Sequence, residues 1–109
     1  MCGIFGIISG KKSPIKSNLL RSYLKTMFEL SSNRGQEASG LAIYNSSDIK
    51  FIKKGLPAKN FILTSDYENF IKSNVENIKN NTLNRKSSFC LIGHTRLATN
   101  GSGNLNNNN

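Results

Sequence analysis

The stretch Cys2-Gly-Ile-Phe-Gly-Ile-Ile-Ser9 is short, nearly continuous in apolar residues and bounded by Gly10. It is far too short to cross a membrane, and its composition predicts a strand covered on both faces. A strand of that kind cannot stand alone. The rest of the chain must therefore supply further strands beside it and helices against it.

The remaining sequence reads in that way. Ser13 has the chemistry of a helix N-cap and Pro14 that of a first helical residue, and Ile15, Leu19, Leu20, Tyr23, Leu24, Met27 and Leu30 follow at helical spacing, which predicts a helix over 14–32. Asn33-Arg-Gly-Gln36 interrupts that spacing as a loop. Ala38 to Tyr44 and Ile49 to Lys54 flank the turn residues Asn45-Ser-Ser-Asp48 and predict a hairpin. One or two helical turns are expected near Ala58 to Leu63. Ser65 or Asp66 is placed to cap a second helix carrying Tyr67, Phe70, Ile71, Val75 and Ile78. After the polar connection from Asn80 to Arg85, Phe89-Cys-Leu-Ile-Gly93 is a second buried strand leading into His94-Thr-Arg96. Strand, helix, hairpin, helix, strand predicts a mixed sheet with helices on its faces. From Asn100 onward only Gly, Ser, Leu and Asn remain, so residues 102–109 form a low-complexity, Asn-rich end with nothing to pack.

Composition narrows the class. At 109 residues the chain is one domain or part of one. With 37% hydrophobic and 19% charged residues, neither a disordered chain nor a coiled coil fits. Fifteen Lys and Arg against six Asp and Glu leave a formal charge of +9, which raises nucleic acid or an anionic membrane as partners. The lysines are scattered, however, and the aromatics occupy apolar-periodic positions instead of alternating with cations, so neither partner is expected. With no secretory leader pattern and no long apolar run, the expected location is the cytoplasm, with Cys2 and Cys90 as free thiols.

Cys2 carries the most chemistry. Removal of Met1 leaves a thiol and a free α-amine on the same residue. Ordinary thiols and α-amines titrate within about a unit of one another, so the amine can take the thiol proton and one residue serves as nucleophile and base. The competing roles for Cys2 are a small buried hydrophobe or a palmitoylation site. His94 offers a second way to activate Cys2, as a Cys-His pair, against the plainer role of a hydrogen-bonded core histidine. Cys2, Cys90 and His94 have none of the usual metal-ligand spacings, so neither a metal nor a cofactor is expected.

Three separated segments, Met1-Cys-Gly-Ile-Phe-Gly-Ile-Ile8, Arg34-Gly-Gln-Glu-Ala-Ser-Gly40 and Gly93-His-Thr-Arg-Leu-Ala-Thr-Asn-Gly101, together resemble the class II glutamine amidotransferases. The middle segment is similar to the amidophosphoribosyltransferases, the third to the glucosamine-6-phosphate synthases. The resemblance implies an α+β fold, the αββα N-terminal nucleophile hydrolase sandwich, incomplete at the C-terminus, with residues 1–101 as the first part of the glutaminase domain. It implies that Cys2 attacks the side-chain amide of L-glutamine to form a thioester, releasing ammonia for a synthase domain or subunit. The resemblance further implies that Arg96 clamps the substrate α-carboxylate, that Leu97 and Thr99 line the pocket, and that Arg34 and Gly35 support the loop beside the N-terminus. A guanidinium fork suits that clamp because it can donate two parallel hydrogen bonds to a carboxylate. The sequence departs from both families at Leu97, where they carry an aromatic residue. The family's oxyanion Asn-Gly pair and the acidic residue for the substrate amine lie beyond Asn109, so Asn100 is not assigned to the oxyanion. The 109-residue stretch is then expected to be a poor catalyst alone. The alternative is a non-catalytic remnant or interaction module that keeps part of the fold.

Overall fold

A computed structural model describes residues 2–10, 15–44, 48–76 and 89–97. Four strands, β1 (Gly3–Ser9), β2 (Ala38–Tyr44), β3 (Ile49–Lys54) and β4 (Phe89–Arg96), form one sheet in the order β1-β4-β2-β3. Every neighbouring pair is antiparallel, so among the described residues the sheet is not mixed. With helices α1 (Ser17–Ser31), α2 (Ala58–Phe61) and α3 (Ser65–Phe70), the chain is an α+β domain.

Among the described residues only one face of this sheet is covered. Ile7, Leu41, Ile43, Phe89 and Leu91 point into a core shared with Leu20, Leu24 and Phe28 of α1, Ala58 and Phe61 of α2, and Tyr67 of α3. On the other face Ile4, Ile8, Ile92, Ile49 and Phe51 are exposed. This corrects the expectation that β1 and β4 are covered on both sides and that helices lie on both faces. An apolar run looks the same in sequence whether its second face meets a helix or stays open, because composition records hydrophobicity and not its partner.

Helix α1 begins at Ser17 with Lys16 as an uncapped N-terminal residue; Ser13 and Pro14 lie outside the described residues. Its centre is Phe28, which stacks edge-on against Phe5, Phe61 and Tyr67 at centroid distances of 4.8, 5.4 and 6.1 Å. Leu30, expected on the buried stripe, is 71% exposed. Phe5 lies against Gly93, its partner in register, where a side chain on residue 93 would strike the ring. The cap of α3 is Thr64, whose hydroxyl accepts from the Tyr67 amide at 3.2 Å, in place of Ser65 or Asp66. A π-helical segment, Ile71–Glu76, continues α3 and buries Ile71 and Val75; Ile78 lies outside the described residues.

Candidate active site

Register sets the geometry at one end of the sheet. Gly3 pairs with Thr95 and Ala38 pairs with Arg96, all in antiparallel ladders. Cys2, one residue before Gly3, therefore stands level with Arg96, at the end of the strand beside its own. Side chains alternate along a strand. Arg96 thus belongs to the open face with Ile92 and His94, and the same alternation carried back from Ile4 puts position 2 on that face. Cys2 is exposed and Arg96 half-buried.

The Arg34-Gly35 turn approaches the same end. The Arg34 amide donates to the Ser31 carbonyl at 2.9 Å, and the Glu37 amide donates to the Arg96 carbonyl at 2.9 Å. Gly35 is buried, and a Cβ placed there would lie 2.5 Å from the carbonyl carbon of Arg96. No side chain can occupy that position without moving β4, so the glycine is required by close backbone approach. The expected site residues Cys2, Arg34, Gly35 and Arg96 therefore gather at one end of one sheet. Leu97 follows β4 directly and is 39% exposed; Thr99 lies outside the described residues.

The open face changes character away from this end. Ile4, His94, Gly40 and Lys53 form one row, Gly6, Ile92, Ala42 and Phe51 the next, and Ile8, Cys90, Tyr44 and Ile49 the last. Arg96, His94 and Lys53 lie in the rows nearest Cys2, beside exposed Ile4, and Ile92, Phe51, Ile8 and Ile49 lie further off. Because Gly40 and Ala42 carry little side chain, a depression of about 290 Å³ forms over β2, walled by Phe51, Lys53, Ile92 and His94. His94 is thus a neighbour of the Arg96 row. Cys90 is six positions along β4 from Arg96, roughly 20 Å at strand rise, which puts it out of reach of a bridge to Cys2. Both thiols are free. Among the described residues no three His, Cys, Asp or Glu side chains converge as a metal site would require.

The sequence reading passed over Thr95 and Ser31. Thr95 is fully buried, and its hydroxyl donates to the Ser31 carbonyl at 2.9 Å. The signal was available: Phe89, Leu91, Gly93 and Thr95 share one parity, so residue 95 continues the buried side of β4.

No family model matches the chain, and searches of the curated proteins and of the solved structures likewise find no match.

Proposed function

We propose that this chain is the first part of a class II glutaminase domain, in which Cys2, freed of Met1, hydrolyses L-glutamine. The observation that carries the reading is the convergence of Cys2, the Arg34-Gly35 turn and Arg96 at one sheet end, although they are scattered along the sequence. The α-amine takes the thiol proton, the sulfur attacks the side-chain carbonyl carbon of glutamine, and the C–N bond breaks with that proton leaving on ammonia. Water then attacks the thioester, freeing glutamate and restoring the thiol. Arg96 holds the α-carboxylate with its fork, which orients the amide toward Cys2, while Leu97 and Thr99 contribute pocket wall. The αββα sandwich accounts for the open apolar face as the surface that a second sheet covers. Ammonia passes to a synthase domain or subunit, a sugar phosphate or phosphoribosyl compound being the acceptor class. A reactive leading thiol fits the reducing cytoplasm; among the described residues no helix is long and apolar enough to cross a membrane.

The open face also favours a second reading, an interaction module without turnover, because large apolar surfaces on a sheet mark contact sites. Treatment of a protein that carries the complete glutaminase domain with an electrophilic glutamine analogue separates the two. The glutaminase reading predicts one adduct, lost in Cys2→Ala and retained in Cys90→Ala. An adduct that persists in Cys2→Ala, or none in the wild type, contradicts it.

A further inference from the structure

We propose that Thr95 is a positioning residue, which locks the start of β1, and with it Cys2, to the strand that bears Arg96. The proposal rests on the glutaminase reading and adds to it a group that does not touch substrate. With Met1 removed, as the glutaminase reading requires, Cys2 is the leading residue. Its position depends on how firmly the next residue, Gly3, is seated.

Gly3 is seated on Thr95 and Ser31. A Cβ at residue 3 would lie 2.6 Å from the Thr95 hydroxyl oxygen and 3.2 Å from the Ser31 carbonyl oxygen, so the bare backbone of Gly3 fits where no other residue does. That carbonyl is the acceptor for two donors, the Thr95 hydroxyl and the Arg34 amide, each at 2.9 Å. One oxygen at the end of α1 thereby joins the turn carrying Arg34 to the strand carrying the substrate clamp, directly beside the backbone of Gly3. On the far side, Gly35 presses on the same stretch of backbone, where its Cβ would lie 2.6 Å from the Thr95 carbonyl carbon. Thr95 is fully buried and its hydroxyl is directed at Ser31, so it serves the junction and not solvent. A hydroxyl hydrogen bond fixes the side-chain rotamer, and that rotamer sets the floor on which Gly3 rests.

Thr95→Val keeps the shape and removes the donor, while the Arg34 amide still satisfies the Ser31 carbonyl, so the fold survives. Each variant of the intact protein is treated in parallel with the glutamine-analogue electrophile and with iodoacetamide. Cys2 is exposed, so iodoacetamide reads the accessibility and ionisation of its thiol and not its alignment with Arg96, and half-buried Cys90 reports global loosening. In Thr95→Val the analogue labels Cys2 about 10-fold to 100-fold more slowly, while iodoacetamide rates at Cys2 and Cys90 stay at wild-type values. Thr95→Ser, which keeps the donor, restores the analogue rate. Should valine speed alkylation of Cys90, Thr95→Ala, which removes the same donor without adding bulk at the junction, is read in its place and shows the same split. Wild-type analogue rates in the variant read, or equal slowing by both reagents, overturn the positioning role while leaving the glutaminase reading intact. No analogue adduct on the wild type removes that reading and the role of Thr95 together.

Discussion

Arg96 can act as a carboxylate clamp because its charge is planar and forked; a lysine at the end of β4 would keep the charge and lose the second hydrogen bond. Free glutamine should therefore protect Cys2 from the analogue, and Arg96→Lys should raise the glutamine concentration needed for half-protection by about 10-fold or more, roughly what a charge-assisted hydrogen bond contributes. Unchanged protection would remove the clamp. The motifs that carry the resemblance marked Cys2, Arg96, Arg34 and Gly35 together, and the structure brings these four to one end of the sheet. The burial of Thr95 was legible from strand parity but its partner was not, since nothing in a threonine announces that its hydroxyl will meet a helix-end carbonyl beside the backbone of Gly3. Gly93 is an intermediate case. The motif marked it, but its packing reason, the ring of Phe5 lying across it, appears only once β1 and β4 are in register.

Among elements, the strands and α1 could be placed from periodicity, and the hairpin from its turn residues. Which face each strand buries could not. Leu91 and Ile92 are adjacent in β4 and equally apolar, yet Leu91 is fully buried in the core and Ile92 is 50% exposed. In the 109-residue chain Leu91→Ala should cost about 2–5 kcal/mol of unfolding free energy and Ile92→Ala less than about 1 kcal/mol, as read by denaturant titration. Equal costs would mean that the second face is covered after all. The same loss of information explains Leu30, which sits at helical spacing but is exposed, and Phe28, whose ring is the centre of the aromatic cluster. The cap of α3 lies one or two residues before the expected Ser65 or Asp66 because Thr64, Ser65 and Asp66 all have capping chemistry, and only backbone geometry selects Thr64.

For the whole molecule, the core and the surface respond to pH in opposite ranges. Burial pushes the Tyr67 phenol from an ordinary 10.0 up to about 12, the charges of Arg21 and Glu68 acting in opposite directions on it. The folded chain holds that proton longer than the unfolded chain, so this contribution to stability is intact below pH 10 and declines as pH rises toward 12. Tyr67→Phe should flatten that alkaline decline in a series of thermal melts; an unchanged decline would show that other groups cause it. At the acid end the Arg21 guanidinium, bonded to both Glu68 oxygens at 3.0 and 2.8 Å, holds that carboxyl below its usual range. Its contribution is present above the ordinary carboxylate range and fades as pH falls through the lowered value. The pair ties α1 to α3, a long-range link that no local pattern in the sequence could have indicated.

The central claim is that sulfur and amine act together on one leading residue. The most direct measurement is the intact mass of a preparation in which Met1 has been removed from only part of the protein, followed over time with the glutamine-analogue electrophile. The account predicts that only the species lacking Met1 gains mass, by a single adduct that maps to Cys2. Equal uptake by the species that keeps Met1, or an adduct that maps to Cys90, would contradict it.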